Sequence, residues 1–292
     1  MRLHFLYNGE KAERRMIRMK RDTTLQKSPS RHERALQIIR RWRLMDDEFM
    51  KRCLKDNIPA VECILRIIMD KPDLKVLSVH IEDTIPNLMG RGIRMDVHAV
   101  DTDGVEYDIE VQRADKGAGA KRARFNSSLL DLNSLKQGSI YEELPSSYVI
   151  FITEHDVWQH GLARYHIERI IRELHQPFDD GTHIIYVNGE YHGTDPMGAL
   201  MNDFRSADAG SMLLDPLKEV VNRYKNNPKE VAAMCAELEK WRLEERAEGR
   251  EEGKIETALV MLKDHLPMEM IARYTSLSMD TIAHLAKQNH LA

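Results

Sequence analysis

The sequence predicts an α/β domain built on a mixed sheet, followed by a helical C-terminal extension. Three observations predict it. Segments of helical and strand character alternate from residue 45 to about 210. A hairpin pattern stands at "MDVHAVDTDGVEYDIEVQ", residues 95–112. Beyond residue 210 the text is helical and increasingly charged. With 292 residues, 42% of them hydrophobic and 31% charged, the chain can bury a large core, which excludes a wholly disordered protein. Cys53, Cys63 and Cys235 show neither zinc-ligand spacing nor a disulfide framework, which suits a reducing, cytoplasmic setting. No apolar run is near the length of a membrane span, and no signal-peptide h-region opens the chain, so a cytoplasmic protein away from the membrane is expected.

Residues 1–43 carry 13 Lys/Arg against four Asp/Glu, a balance of +9 that leaves −13 for the rest of a chain whose net charge is −4. This segment reads as a basic, poorly ordered arm, able to meet phosphates through counterion release. The domain proper is expected over 44–210. "MDDEFMKRCLKDNIPAVECILRIIM" has helical apolar spacing, with Pro59 suited to open a second helix that ends near Met69. "LKVLSVHI", 74–81, reads as the first strand, followed by a loop through "EDTIPNLMGRG" and then the hairpin. A basic stretch leads into a helix at "KRARFNSSLLDLNSL", and "SSYVIFIT", 146–153, is an apolar run expected of a strand buried on both faces. "ARYHIERIIREL" is expected as a helix and "HIIYVNG" as a strand. In the extension, 211–292, opposite charges at i,i+4 spacing support a solvated helix that Gly249 and Gly253 weaken locally. "PMEMIARYTSLSMDTIAHLAKQ" reads as two short helices joined around Ser276 to Ser278. They form either a packing or oligomerisation unit or a helix-turn-helix-like end, though the second helix offers few basic residues.

The hairpin carries the chemistry. Alternation puts Met95, Val97 and Ala99 on one face and Arg94, Asp96 and His98 on the other. On the second strand Val105, Tyr107, Ile109 and Val111 oppose Glu106, Asp108, Glu110 and Gln112. Matching faces requires Asp96 to pair with Glu110, hence a loop of odd length, which Thr102-Asp103-Gly104 supplies with Gly104 at a left-handed position. Opposed carboxylates about 5 Å apart repel unless neutralised. A hard divalent cation would neutralise them, as in a phosphodiesterase site; a merely solvent-exposed face screened by salt and by Arg94 is the other reading. The spacing also suits a retaining glycosidase, but 6% aromatic residues and the absence of a sugar-stacking series count against it.

"IPNLMGRGIRMDVHAVDTDGVEYDIEVQ" resembles the core of the PD-(D/E)XK nuclease family transposases, the recombination-promoting nuclease group. "DDEFMKRCLKDN", "ECILRIIMDKPDLKV", "RARFNSSLLD", "YVIFIT", "HIIYVNG" and the "MC...EGREEG" tail extend the likeness to roughly residues 45–285. The resemblance implies a restriction-endonuclease-like mixed central sheet flanked by helices. It implies Mg²⁺, with Mn²⁺ as a substitute, held by Asp96 and Glu110, with Glu62 as the accessory helical acid. Gln112 would stand where the wider superfamily has lysine; it brings hydrogen bonding to a metal-bound water but no charge. The expected function is metal-dependent DNA endonuclease activity in recombination or mobile-element movement. The alternative is a catalytically weak or inactive nucleic-acid-binding module on the same fold.

Lys121, Arg122 and Arg124 follow the acidic strand as candidates for holding DNA phosphates, with a solvated helix face as the competing reading. His98 reads as a bystander, and Asp131 and Asp156 as structural acids. The expected partners are DNA and a second copy of the chain through the C-terminal helices.

Overall fold

The structure is a computed structural model and describes residues 30–85, 93–113, 117–135, 138–289 and 291. Residues 1–29 of the expected basic arm lie outside the described residues, as do residues 86–92 of the expected loop. The end of the arm is a helix, α1 (Arg31–Arg41). Its start is a reciprocal capping box: Ser30 Oγ accepts from the Glu33 amide at 3.2 Å, and Glu33 Oε2 from the Ser30 amide at 2.6 Å.

The chain divides into two compact units. The larger runs Ile38–Met234; the second consists, within the described residues, of 30–37 and 235–291. In the larger unit, α2 (Asp47–Leu54) and α3 (Ile58–Met69) precede the sheet. Asn57 caps α3 by accepting from the Ala60 amide at 3.2 Å, Pro59 occupies its first turn, and Asp70, at φ 54°, closes it in the left-handed region. The sheet is mixed and six-stranded. Its strands are β1 (Val76–Ile85), β2 (Ile93–Asp101), β3 (Glu106–Gln112), β4 (Ser147–Thr153), β5 (Arg164–Ile167) and β8 (Thr182–Asn188), in the order β1-β2-β3-β4-β8-β5. β1, β2 and β3 are antiparallel neighbours, β3, β4 and β8 run parallel, and β5 pairs antiparallel with the outer edge of β8. The parallel step from β3 to β4 is made through α4 (Ala120–Ser134), which packs Ala123, Leu129 and Leu130 on Val149, Phe151 and Tyr186.

"ARYHIERIIREL" is not a helix. It forms β5 and then the first strand of a small hairpin, β6 (Ile170–Ile171) with β7 (Gln176–Pro177). β8 leaves one edge open, and Arg164 to Ile167 complete it with a register of Arg164 on Val187 through Ile167 on Ile184. Tyr165 and Ile167, two residues apart, then reach the same apolar cluster as α4. A strand edge to be filled outweighs a locally helical spacing.

The larger unit also continues past residue 210, the expected end of the domain. After α5 (Pro196–Arg205), α6 (Asp215–Asn226) buries Leu217, Val220, Val221 and Tyr224 in contact with α2 and α3. α7 (Pro228–Lys263), whose residues from Cys235 onward belong to the second unit, runs 36 residues through Gly249 and Gly253 without a break. α8 (Met268–Thr275) and α9 (Met279–Gln288) fold against its end around Ala258, Leu262, Ile271, Leu277 and Ile282. The turn between them falls at Ser276, left-handed at φ 59°, with Ser278 capping α9. Among the described residues no helix is long and apolar enough to cross a membrane.

Candidate active site

The hairpin has the expected register. Val97 pairs with Ile109, His98 with Asp108, Ala99 with Tyr107 and Val100 with Glu106; the paired ladder ends at Val97 and Ile109, the residues next to Asp96 and Glu110. The turn is Thr102-Asp103-Gly104, with Gly104 at φ 81° and its amide donating to the Asp101 carbonyl at 3.1 Å. Asp101 fastens this end. Its Oδ1 accepts from the Asp103 and Val105 amides, each at 2.9 Å, and its Oδ2 from the Tyr107 hydroxyl at 2.7 Å.

The acid-bearing face is not a solvent face. Asp108 and Glu110 are 0% exposed and Asp96 7%, because α4 covers this side of the sheet and α2 closes it beside Asp96. From α4, Asn126 donates to Asp108 Oδ2 at 3.1 Å and to Glu110 Oε1 at 3.4 Å, while Arg122 pairs with Glu110 Oε2 and lies over the Phe151 ring. From α2, Lys51 Nζ lies 3.0 Å from Asp96 Oδ1, 2.9 Å from Asp47 Oδ2 and 3.6 Å from Glu82 Oε1. Among the described residues, five acids thus share two bases. Burial, more than any other cause, raises the carboxyl groups of Asp96, Asp108 and Glu110 above their ordinary range; neighbouring carboxylates add to it, and Lys51 and Arg122 partly offset it.

The strand carrying Glu82 is distorted at this point. Glu82 has φ 54°, a left-handed conformation in the middle of β1, and the ladder of β1 on β2 passes from Ile81–Val97 to Asp83–Met95 around it. Met95 departs from the alternation at the same level, packing with the α4-side cluster instead of with Val97 and Ala99. The site is therefore where the hairpin's regular pattern stops.

Gln112 lies on the same face as Asp108 and Glu110, one parallel step from Thr153 on β4. Its carboxamide lies against Gly117, in the space that a Cβ there would take, 1.6 Å from Gln112 Oε1. Glu62 is elsewhere. Its carboxylate is engaged by Arg66 and by the Val76 amide at 3.0 Å, at the start of β1. Glu82 lies six residues farther along that strand, about 20 Å away at the rise of an extended chain. The helical acid beside the hairpin is Asp47, on α2. Of the basic candidates, Arg122 is bound to Glu110 and to the Gly117 carbonyl at 3.1 Å, whereas Lys121 and Arg124 are exposed on the outer side of α4. His98 faces His80 and Glu106. Asp131 accepts from Ser147 Oγ, and Asp156 from Tyr165 and the Trp158 and Gly161 amides, which are structural roles.

The donor set suits a hard divalent cation of the Mg²⁺ type. Such an ion keeps several waters and takes one or two carboxylates plus substrate phosphate oxygens, so it does not require an all-protein cage. Asp96 and Glu110 are the two carboxylates that could serve such an ion, and Asp108 Oδ1 is buried without a hydrogen-bond partner. Among the described residues no group of three or more His, Cys, Asp or Glu side chains is placed to hold a metal ion.

Sequence reading missed Lys51, Asp47 and Asn126 as members of this cluster. The signal for the first two is an acid and a lysine at i,i+4 on a helix whose Phe49, Met50, Cys53 and Leu54 are apolar and buried.

Residues 67–190 match the family model described as PD-(D/E)XK nuclease family transposase. That span runs from the end of α3 to just past β8, and is narrower than the likeness over 45–285. No curated protein and no solved structure matches the chain.

Proposed function

Residues 67–190 are a PD-(D/E)XK nuclease family transposase domain, and on that premise we propose that the chain is a metal-dependent endonuclease that hydrolyses DNA phosphodiester bonds. The observation that carries the reading is the cluster of Asp96, Asp108 and Glu110, buried under α2 and α4 with their carboxyl groups raised by that burial and by one another. Asp96 and Glu110 would hold Mg²⁺, with Mn²⁺ as a substitute, and the chemistry such an ion would supply there is activation of a water and compensation of charge on the phosphate. Gln112 orients the attacking water through its carboxamide. Asn126 fixes the carboxylate planes of Asp108 and Glu110, and Lys121 and Arg124 meet the flanking phosphates of DNA.

The test is nicking and linearisation of supercoiled plasmid by purified protein with Mg²⁺, with Mn²⁺ and with chelator, beside Asp96→Ala and Glu110→Ala. Cutting that needs metal and vanishes in both variants is expected. A specific observation keeps a second reading: Gln112 carries no charge, and Arg122 already neutralises Glu110. On that reading the domain binds nucleic acid without cutting, and wild type and both variants bind duplex DNA equally and leave the plasmid intact.

A further inference from the structure

Lys51 is a lysine in an unusual place. Its side chain is 5% exposed, yet its ammonium faces three carboxylates, those of Asp47, Asp96 and Glu82. Buried ion pairs are a poor source of stability, because desolvation cancels most of the attraction. A buried charge kept at that cost calls for another role. The helix bearing it is packed on both sides of the lysine by Phe49, Met50, Cys53 and Leu54, so the ammonium is delivered on a rigid element. It arrives beside Asp96, at the level where β1 departs from regular strand geometry at Glu82.

On β3 the position two residues beyond Glu110 is Gln112, which offers hydrogen bonds and no charge. We propose that Lys51, reaching in from α2, is the positioning cation of the site, supplying the positive charge that position 112 lacks. This rests on the endonuclease reading. An ammonium has three hydrogens. Two are directed to Asp47 and Asp96 at 2.9 and 3.0 Å; the third faces Glu82 at 3.6 Å, beyond a good hydrogen bond. The side chain of Glu82 is 45% exposed, so a phosphate oxygen of DNA can compete with it for that hydrogen. Lys51 thereby holds Asp96 in its orientation and draws the phosphate toward it.

The experiment compares wild type, Lys51→Gln, Lys51→Arg, Gln112→Lys and the double variant Lys51→Gln with Gln112→Lys. Three readouts are taken: plasmid cutting with Mg²⁺ and Mn²⁺, bound Mn²⁺ by electron paramagnetic resonance on the DNA-free protein, and thermal melting. Lys51→Gln is expected to lose cutting by about 100-fold, the scale of removing a charge-stabilising group. It should still bind Mn²⁺ at least as well as wild type, since both carboxylates remain. Lys51→Arg keeps most of the cutting, and adding Gln112→Lys to Lys51→Gln restores at least about tenfold, since the charge returns from the neighbouring strand.

If wild type cuts and Lys51→Gln cuts within about threefold of it, the proposal falls while the endonuclease reading stands. Loss of Mn²⁺ binding or of cooperative melting in Lys51→Gln makes the lysine structural and overturns the proposal, as does a double variant that stays dead while binding Mn²⁺. Should Lys51→Gln not fold, Lys51→Met, which keeps the length of the side chain without its charge, takes its place: cutting lost by about 100-fold with Mn²⁺ binding kept upholds the proposal, and cutting within about threefold of wild type overturns it. If wild type binds Mn²⁺ but cuts nothing, the endonuclease reading falls and the assignment of Lys51 falls with it.

Discussion

Asp108 is the residue whose environment is hardest to account for by stability alone. It is fully buried, with Oδ2 held by Asn126 and Oδ1 without a partner, and it is raised to about 7, while Glu110 beside it is raised to about 8. Both values exceed the ordinary carboxyl range, so the folded protein binds protons that the unfolded chain releases. The stability these groups allow is fully present below about pH 4 and is lost as pH rises through 7 and 8. Chelator-treated protein should therefore melt lower at pH 8.5 than at pH 5.5, with a loss on the order of a few kcal/mol. Asp108→Asn should flatten that dependence. Melting curves across pH check it; a wild-type profile that rises toward pH 8.5 would contradict it. Added Mn²⁺ should raise the melting temperature most at the alkaline end, where the carboxylates are ionised and the ion binds the folded state. In the sequence Asp96 and Glu110 were legible because period-two alternation fixes which residues share a face. Lys51 and Asn126 were not, because the packing that recruits each one joins elements separated by an unknown path.

At the scale of elements, the hairpin is the part that sequence chemistry specifies most completely, and its turn is the place to test that. Face matching sets an odd loop, Gly104 supplies the positive φ, and Asp101 gathers two amides and the Tyr107 hydroxyl. Asp101→Ala leaves those donors without their acceptor on a residue only 4% exposed, and should cost roughly 2–4 kcal/mol. Gly104→Ala asks an L residue to adopt φ 81° and should cost about 1 kcal/mol. Urea unfolding with an unchanged m-value is the measurement, and a change under about 0.5 kcal/mol for Asp101→Ala would mean that the turn is held by other interactions. β5 marks the opposite case. Tyr165 and Ile167 fit a strand face as well as a helix, and what decides between them is the open edge of β8, which no local window contains. The left-handed Glu82 is likewise invisible in sequence, since Glu has no preference for that region and the conformation is imposed by the packing around the site.

At the scale of the molecule, a second set of basic residues suited to phosphate, besides Lys121 and Arg124, stands in a different unit from the residues of the site. Lys51, Asp96, Asp108, Glu110, Gln112 and Asn126 all lie in Ile38–Met234. The second unit has a cleft of about 190 Å³ between α1 and α7, lined by Arg31, Arg34, Arg242 and Arg246 with Glu239 as its acid. Fork-shaped guanidinium groups gathered around one concavity are suited to phosphate oxygens, which gives a structural form to the basic character of the N-terminal segment. The charged stretch in α7, which by i,i+4 pairing alone reads as a solvated face, contributes two of those arginines. This adds a grip outside the unit that carries the chemistry, and its share is measurable. A chain ended at Met234 removes Arg242 and Arg246 and leaves the hairpin, α2 and α4 intact. It should bind Mn²⁺ like the full chain, but hold duplex DNA more weakly and with a shallower dependence on salt. Removing one cation that neutralises a phosphate lowers the slope of log affinity on log salt by about 0.9. Arg242→Ala with Arg246→Ala in the full chain should move the slope in the same direction by up to about 1.8 while leaving Mn²⁺ binding untouched. Fluorescence anisotropy of a labelled duplex from about 50 to about 200 mM salt, the range where such slopes are read, makes the comparison. An unchanged slope in both variants would leave the cleft without a part in DNA binding and return that role to Lys121 and Arg124 on α4, within the unit that carries the acids.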